Sequence, residues 1–503
     1  MAILDVSWST SCLVVVLTGL LFLLRHYASP TLDPLEPPLL KPRAPLVGHL
    51  ISMLREGGSF YVRLFKDSQM PICTLPVLNG KLYVINAPDL IQSALRNNDI
   101  SFDPFLVEFS VGMWGLSENA ANCIKDETNL KGGLTIIHTT LMGEPLYRLT
   151  LNSLRALMAH LNRIEPHETL NIPDVFMWLR DIVTQTTATA LFGEKNPITL
   201  DDSELLWIYD KQSMLAAFGA PEFVMRKAID ARRELNKRLL SYYKSGGYNG
   251  KGVSDIIHQR AIYLRSTGFT DDDLAHMELM LLWVGVTNTV PAMFWLLTQI
   301  LTNPGHTARV RAEISAITTI TDGPAGRTAT FDIREVEKSC PFLVACYQEI
   351  LRLYLHSVGN RRVMKDTKIQ DTEGRKYLLK KGCNIQWPPS VTHFTNDTWG
   401  QDVDTFRPER ILNATTQDEK KRRPSMLAFG GGKNLCPGRR FAVSEMLAFV
   451  GILALSFDVE GLNLPEWKDG GIGVGPRQPD WGSLDRGACL KKKQGWEDVT
   501  WSF

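Results

Sequence analysis

The chain has 503 residues, of which 44% are hydrophobic and 22% charged, and its formal net charge is +1. This composition is that of a globular protein with a large core. A net charge so close to zero excludes a global field that would recruit nucleic acid. Eight scattered cysteines without a C-x-x-C pair argue against a disulfide framework and a zinc site.

The N-terminus predicts an uncleaved, single-pass membrane anchor over residues 1–29. Residues 9–24 carry no charge and are dense in Leu and Val. A cleaved signal peptide is the alternative, but it would have a basic start, and this start carries Asp5 instead. Positive charges that follow the apolar segment place the body in the cytosol, and here they are Arg25, Lys41 and Arg43.

The next segment, residues 30–48, predicts a stiff hinge between the anchor and the body. It holds six prolines between positions 30 and 45. Prolines at this density favour an extended backbone with little flexibility.

Residues 49–503 are predicted to form one large domain, mainly α-helical with a minor β-sheet region. No second linker or internal repeat divides them. Short strands are predicted at 73–75, 81–85, 362–369 and 378–384. Helical patterns dominate elsewhere, for example over 151–161, 175–191 and 271–301.

Pro291 is expected to kink the long apolar helix predicted over 271–301. Proline has no amide hydrogen, and its ring collides with the carbonyl four residues earlier, here that of Thr287. The freed carbonyl can hold a water molecule. Asn288 lies beside it with a side-chain amide that both donates and accepts hydrogen bonds.

A second group of polar residues, Glu349, Arg352 and Arg410, combines a helix with a distant loop. Glu349 and Arg352 are three apart in an amphipathic helix predicted over 342–354, so they share one face. A surface ion pair of this kind is common and contributes little. A buried pair needs further partners to offset desolvation, and Arg410, in Phe-Arg-Pro-Glu-Arg, is a candidate.

Residues 429–438 read Phe-Gly-Gly-Gly-Lys-Asn-Leu-Cys-Pro-Gly. Glycines let a backbone approach a flat ligand where any Cβ would collide. The loop leads into a predicted helix, whose N-terminal amides can lower the pKa of the Cys436 thiol and donate to its sulfur. The alternative is a structural cysteine beside a glycine turn.

The pattern Phe429-x-x-Gly432-x-x-x-Cys436-x-Gly438 resembles the haem-binding signature of the cytochrome P450 family. The Glu-x-x-Arg pair and the Pro-Glu-Arg element resemble the same family in the same order, and the proline-rich segment is similar to the hinge of its microsomal members. The resemblance implies a cytochrome P450 fold, haem b, and Cys436 as the axial ligand of its iron. It implies a structural role for Glu349, Arg352 and Arg410.

The central helix departs from the family pattern, in which an acid and the threonine after it deliver protons during oxygen activation. Thr287 stands where the acid is expected and Asn288 where the threonine is expected. Thr289 lies about 100° further around the helix. The resemblance makes Asn288, Thr287 and Thr289 candidate catalytic residues, with Asn288 as a kink residue the alternative. Residues 288–295 resemble the sterol 7α- and 12α-hydroxylase branch, which includes prostacyclin synthase.

The residues that would hold the haem propionates also depart from the family pattern. The Arg or His expected two residues before the cysteine is Asn434, so Lys433 is the candidate substitute. The family's Trp-x-x-x-Arg element is not found in this sequence, and Tyr147 and Arg148 are the candidates for its place.

The resemblance implies a monooxygenase anchored in the endoplasmic reticulum with its catalytic domain facing the cytosol. NADPH–cytochrome P450 reductase would supply electrons, with the basic run 420–423 as a docking patch or a solvated loop. The expected substrate is an apolar small molecule such as a terpenoid, steroid or polyketide of fungal secondary metabolism. The alternative is a reductase-independent isomerase, dehydratase or cyclase, or a non-catalytic haem protein.

Overall fold

The computed structural model describes residues 15, 18–19, 30–42, 48–77, 80–324, 326–355, 357–468 and 476–503. Most of the predicted anchor, residues 1–29, lies outside these ranges. The body is mainly α-helical with small sheets, as predicted.

The first half of the body is mainly a series of helices. In chain order they are α1 (Leu50–Glu56), α2 (Gly58–Ser68), α3 (Pro88–Arg96), α4 (Asp103–Gly112), α5 (Glu118–Lys125), α6 (Glu127–Thr140), α7 (Gly143–Leu161), α8 (Val175–Phe192), α9 (Leu200–Ala217), α10 (Arg226–Lys244) and α11 (Asp255–Ser266).

The second half contains the central helices and the segments that carry the predicted motifs. They are α12 (Asp271–Val286), α13 (Thr289–Leu301), α14 (Pro304–Ile317), α15 (Ile333–Ser339), α16 (Pro341–Tyr354), α17 (Pro389–Thr392), α18 (Asn396–Trp399), α19 (Glu409–Leu412), α20 (Thr416–Arg422) and α21 (Arg439–Ser456).

The strands are short and form five small sheets among the described residues. The largest sheet has the order β1-β2-β10-β7-β3. In this sheet β10 is parallel to β2, and all other neighbouring strands are antiparallel. The others have the orders β11-β14-β4, β15-β6-β5, β12-β13 and β8-β9. The strands are β1 (Ile72–Val77), β2 (Gly80–Ile85), β3 (Ile100–Ser101), β4 (Thr169–Ile172), β5 (Thr319–Gly323), β6 (Gly326–Thr330), β7 (Gly359–Val363), β8 (Thr367–Gln370), β9 (Lys376–Leu379), β10 (Asn384–Trp387), β11 (Phe457–Glu460), β12 (Glu466–Lys468), β13 (Gln478–Asp480), β14 (Ala488–Lys492) and β15 (Val499–Trp501).

The described part of the predicted hinge is fastened to the first sheet. The Leu40 amide donates to the Thr74 carbonyl at 2.9 Å. The buried carboxylate of Glu36 accepts from Lys81 Nζ at 2.9 Å and from the Tyr83 hydroxyl at 2.6 Å. Residues 30–42 therefore leave the body from the edge formed by β1 and β2.

The central helix is interrupted where Pro291 predicts a kink. α12 ends at Val286, and α13 begins at Thr289. Pro291 is thus the third residue of α13, in the first turn, where a backbone amide has no helical partner to lose. The interruption removes the clash that an unbroken helix would impose on the Thr287 carbonyl.

Together α12 and α13 form the central element of the core. Residues 271–301 are the one stretch among the described residues that is long and apolar enough to cross a membrane, and 67% of its apolar window is buried inside the protein. α12 packs against α8 and α10, and α13 packs against α8, α16 and α21. A helix surrounded in this way is apolar because it is the core.

A buried carboxyl group joins α7 to α21, the helix that follows the cysteine loop. The Ser153 hydroxyl donates to Glu445 Oε1, while Glu445 Oε2 has no hydrogen-bond partner in the described part of the chain. Glu445 is 1% exposed. Burial raises its pKa from 4.5 to about 7, and the Ser153 hydroxyl opposes this shift.

We predict that Glu445→Gln flattens the dependence of stability on pH. Between pH 4.5 and about 7 the folded chain keeps a proton that the unfolded chain loses, so wild-type stability falls as pH rises. The loss is about 3 kcal/mol at neutral pH, and glutamine, neutral at every pH, avoids it. Urea unfolding at pH 5 and pH 8 measures the difference. Glu127→Gln, at an exposed site in α6, is the control. Equal pH dependence in wild type and Glu445→Gln would contradict the assignment.

Candidate active site

The cysteine loop connects the segment after α20 to α21. The Cys436 amide donates to the Phe429 carbonyl at 3.0 Å, which closes the loop. Gly430 and Gly432 adopt left-handed backbone angles, with φ of 71° and 65°. These are conformations that L residues with a Cβ rarely adopt.

Two of the glycines also permit close contact with the end of α3. A Cβ on Gly431 would lie 2.6 Å from Leu95 Cδ1, and one on Gly432 would lie 2.8 Å from the Leu95 carbonyl oxygen. From the sequence, these glycines are predicted to let the backbone approach a flat ligand. The structure gives them a second reason, which is the packing of the loop on α3.

The Cys436 sulfur lies at the start of α21. Burial raises the pKa of the thiol, and the backbone amides of Gly438 and Arg439 act in the opposite direction. These amides are the helix N-terminal donors that the sequence predicted, although burial has the larger effect. The Cys436 side chain is nevertheless only half-buried, so its sulfur is within reach of a ligand. A bound cation would favour the thiolate.

One face of the central helix is open where its other faces are buried. Val284 is 47% exposed and Asn288, four residues later, is also exposed. Residues four apart share a helix face. Because neighbouring helices bury the rest of this element, the exposed face is the part of it that a ligand can reach.

The two threonines beside Asn288 do not share its exposure. Thr287 is 8% and Thr289 6% exposed, and the Thr289 hydroxyl donates to the Gly285 carbonyl at 2.8 Å. Of the three candidate catalytic residues, Asn288 is therefore the one whose side chain is accessible.

Arg361 is a site residue that the sequence analysis missed. It lies in β7, is 7% exposed, and donates to the Gly431 carbonyl of the cysteine loop at 3.2 Å. Its guanidinium lies 5.2 Å from the ring centre of Phe102 and 5.1 Å from that of Trp387. Among the described residues no carboxylate forms an ion pair with it. Burial lowers its pKa to about 10, which Asp103 opposes.

A buried guanidinium without a counter-ion is costly unless an anion binds to it. Haem carries two propionate groups, and Arg361 contacts the loop that holds Cys436. A sulfur ligand on the loop and an arginine of β7 that contacts the same loop fit the donor set that haem needs. The signal in the sequence is Arg361-Arg362 on a strand, because alternation turns one of two adjacent arginines inward.

The three residues that the sequence analysis offered as propionate partners have other contacts. Lys433 Nζ donates to Asn98 Oδ1 at 2.6 Å on the surface. Arg148 forms an ion pair with Asp255 at 2.5 Å, and the Arg334 guanidinium lies 4.5 Å from the ring centre of Tyr147. Arg361 is therefore the better candidate for this role.

The structure brings Glu349, Arg352 and Arg410 together, and all three side chains are fully buried. Arg352 binds both oxygens of Glu349 at 2.7 and 2.8 Å. Arg410 Nε donates to the same carboxylate at 3.1 Å, and Arg410 also pairs with Asp402 at 2.9 Å. Arg352 further donates to the Val403 carbonyl at 2.7 Å. Two carboxylates thus balance two guanidiniums, which offsets the cost of burial.

His393 links this network to the cysteine loop. Its Nδ1 donates to the Arg352 carbonyl at 3.0 Å, and the Leu427 amide donates to its Nε2 at 3.0 Å. Nε2 can accept this bond only in the neutral ring. Burial lowers the pKa of His393 to about 3. A neutral, fixed imidazole therefore ties α16 to a residue two positions before Phe429.

A half-buried cysteine before a helix start, with a buried arginine from β7 bonded to the cysteine loop, is the arrangement expected of a haem-thiolate site on a mainly helical fold. A family model described as Cytochrome P450 matches residues 254–472. A protein of Gibberella zeae named cytochrome P450 monooxygenase is 32% identical over 96% of this chain and 94% of its own length. The chain belongs to the cytochrome P450 family, and the predicted oxidoreductase class is confirmed.

Solved structures support the same fold. The structure named retinoic acid bound cyanobacterial CYP120A1 aligns with a TM-score of 0.69 at 18% identity, covering 92% of this chain and all of that chain. At this identity the similarity establishes the fold alone.

The predicted branch of the family is confirmed by two further relatives. Cytochrome P450 7B1 of Mus musculus is 24% identical over 88% of each chain. Human prostacyclin synthase is 28% identical over 44% of this chain and 46% of its own length.

We predict that Arg361→Leu weakens haem retention without lowering the stability of the haem-free chain. Leucine removes a charge-assisted contact worth about tenfold or more in affinity, but it also removes a buried unpaired charge. The measurement is the rate at which haem transfers to excess apomyoglobin. Arg362→Leu is the matched control, because Arg362 is adjacent in β7 and pairs with Glu108 at the surface. Equal transfer rates in the two variants would rule out the role of Arg361.

Proposed function

We propose that the chain is a haem-thiolate monooxygenase in which Cys436 holds the haem iron. The observation that carries the proposal is the half-buried Cys436 sulfur at the start of α21. Phe429, Gly432 and Gly438 shape the loop, and Arg361 provides a cation for a propionate. Bound haem supplies the oxygen-activating chemistry. The protein holds the sulfur, orients the substrate and moves protons.

Asn288 is the proposed proton-handling residue. Its side-chain amide is exposed on the open face of the central helix. An amide donates from nitrogen and accepts at oxygen, so it can hold a water molecule and pass on its proton. Thr287 takes part through its backbone carbonyl, whose usual donor is absent because Pro291 has no amide hydrogen. The Thr289 hydroxyl donates to the Gly285 carbonyl, so it is given no part in moving protons.

The proposed substrate is an apolar small molecule such as a terpenoid, steroid or polyketide of secondary metabolism. Two observations support an apolar partner. The open face of the central helix presents Val284 beside Asn288. The ring of Phe102 lies against the guanidinium of Arg361, which contacts the cysteine loop.

A membrane location in the endoplasmic reticulum with the body in the cytosol remains the proposed setting. Residues 1–29 carry the apolar segment. In addition, the loop between α9 and α10 exposes Phe218 at 63%, Phe223 at 83% and Val224 at 52%. Large apolar side chains grouped on one loop favour contact with lipid.

Electrons are proposed to come from NADPH through a reductase. The predicted basic patch over residues 420–423 is smaller than its sequence suggests. Arg422 donates to the Arg410 carbonyl at 2.5 Å and Lys421 to the Asp397 carbonyl. Lys420 and Arg423 are exposed, and neither side chain forms an ion pair with a described residue, so both are available to an acidic partner.

A reductase-independent isomerase, dehydratase or cyclase is the second candidate function. Two findings support this second function. Thr287 and Asn288 replace the acid and alcohol of the family pattern, and human prostacyclin synthase is a relative over 44% of the chain.

Turnover of candidate substrates with NADPH and reductase, and with the reductase omitted, separates the two functions. We expect product only when the reductase is present. We also expect Cys436→Ser to lose both turnover and the reduced, carbon-monoxide-bound absorption band that marks thiolate ligation. Product without reductase would select the second function, and an intact band in Cys436→Ser would refute the ligand assignment.

We predict that Asn288→Ala uncouples electron use from product. If Asn288 holds the water that supplies protons, its loss should lower product formed per NADPH by about tenfold or more. Thr289→Val is the matched control, because that hydroxyl bonds Gly285 and its loss should leave coupling close to wild type. Unchanged coupling in Asn288→Ala would reduce Asn288 to a residue of the helix break.

A further inference from the structure

The surroundings of Arg361 hold its guanidinium without using all of its hydrogen-bond donors. Nη1 donates to the Asn360 carbonyl at 2.7 Å and Nη2 to the Gly431 carbonyl at 3.2 Å. The remaining N–H groups have no acceptor among the described residues. The guanidinium carbon lies 5.2 Å from the ring centre of Phe102 and 5.1 Å from that of Trp387. An aromatic face attracts a cation and leaves its N–H groups available to an anion.

The backbone of the first sheet leaves room for the indole of Trp387 at this position. Trp387 lies in β10, directly opposite Gly359 of β7 in the antiparallel ladder. A Cβ on Gly359 would lie 1.9 Å from Trp387 Nε1, so a larger residue would displace the indole. Arg361 is two residues further along β7, and side chains two apart in a strand share a face of the sheet. The indole therefore lies across Gly359 and beside Arg361, where it is buried.

A different strand brings Phe102 to the same guanidinium. β3 is antiparallel to β7 and places Ser101 opposite Arg362. The next residue of each strand pair is Phe102 on one side and Arg361 on the other. The Phe102 ring is half-buried and lies 5.9 Å from the ring of Phe105, against which it is stacked. The two rings beside Arg361 thus come from separate segments, and both are held by their own packing.

A cation that is fixed before its ligand arrives binds that ligand more tightly. An arginine side chain has several rotatable bonds, and their freedom is lost when an anion binds. Rings packed against the guanidinium remove this freedom in advance. They also keep water away, which strengthens the attraction between the cation and an anion. A carboxylate would hold the cation as well, but it would occupy the N–H groups that the anion needs.

We propose that Phe102 and Trp387 form an aromatic clamp that fixes the guanidinium of Arg361 for a haem propionate. This inference rests on the proposed function, since it assumes that haem binds beside Cys436. Phe102 and Trp387 are positioning residues, because they act through Arg361 and take no part in oxidation. The rings also offset part of the cost of a buried cation that has no carboxylate partner.

The rate at which haem transfers to excess apomyoglobin measures the effect of the clamp. We expect Phe102→Leu and Trp387→Leu each to transfer haem about threefold to tenfold faster than wild type, as for the loss of one ring beside a cation. Trp387→Phe keeps a ring and should recover most of the wild-type rate. Phe105→Leu is the matched control, because the Phe105 ring lies 4.9 Å from the neighbouring guanidinium of Arg362. It should leave the rate unchanged.

Haem dimethyl ester shows whether the clamp acts through the propionates. Its carboxyl groups are esterified and carry no negative charge, so they gain nothing from a fixed cation. We expect Phe102→Leu and Trp387→Leu to lose the ester at the same rate as the wild-type protein. Rings that only support the fold would instead speed the loss of both cofactors alike. If Trp387→Leu does not fold, Phe102→Leu, at a half-buried site, carries the test alone.

The outcomes separate this inference from the proposed function. If the wild-type protein takes up no haem, the haem site itself is misassigned. If Arg361→Leu loses haem faster while both leucine variants of the clamp keep the wild-type rate, the clamp is refuted and the propionate site stands. Equal acceleration with haem and with its ester also refutes the clamp.

Discussion

The buried carboxylate of Glu349, shared by two arginines, is the interaction on which the rest of the site depends. Arg352 binds it from within α16, and Arg410 binds it from the short helix α19, 58 residues further along the chain. Neither arginine is tolerable in the core without its carboxylate partners. Through the Arg352 carbonyl, His393 then holds the Leu427 amide. The cysteine loop therefore has a rigid base, formed by charges that can be satisfied only in one arrangement.

Some interior charges have no counter-ion within the described residues. Arg361 is a buried cation that forms no ion pair there, and Glu445 is a buried carboxyl group whose Oε2 has no hydrogen-bond partner there. The charges around Glu349 are paired instead. Unpaired groups cost free energy, and Arg361 is the one that lies against the cysteine loop. In the proposed function this cation binds the anionic propionate end of haem.

The break in the central helix affects both the course of the backbone and the side chains that are exposed there. A proline in the middle of a helix removes a backbone hydrogen bond and clashes with the preceding turn. Because the helix breaks after Val286, Pro291 lies in the first turn of α13 instead. The same break leaves Asn288 exposed and turns the Thr289 hydroxyl back to Gly285. In the proposed function, an amide and a backbone carbonyl take the place of the acid and the alcohol of the family pattern. This is the structural basis for considering both a monooxygenase and an isomerase.

The sequence alone determined the family, the predominance of helices, the break at Pro291 and the partners of Glu349. Each of these follows from local spacing or from a group that cannot be buried alone. It did not determine which cation lies against the cysteine loop. Lys433 is nearer in sequence to Cys436, but it extends to Asn98 at the surface, whereas Arg361 reaches Gly431 from a strand some 70 residues earlier. Such contacts depend on how helices and strands pack, and side chains far apart in sequence acquire a shared role only when packing decides which of them is left without a partner.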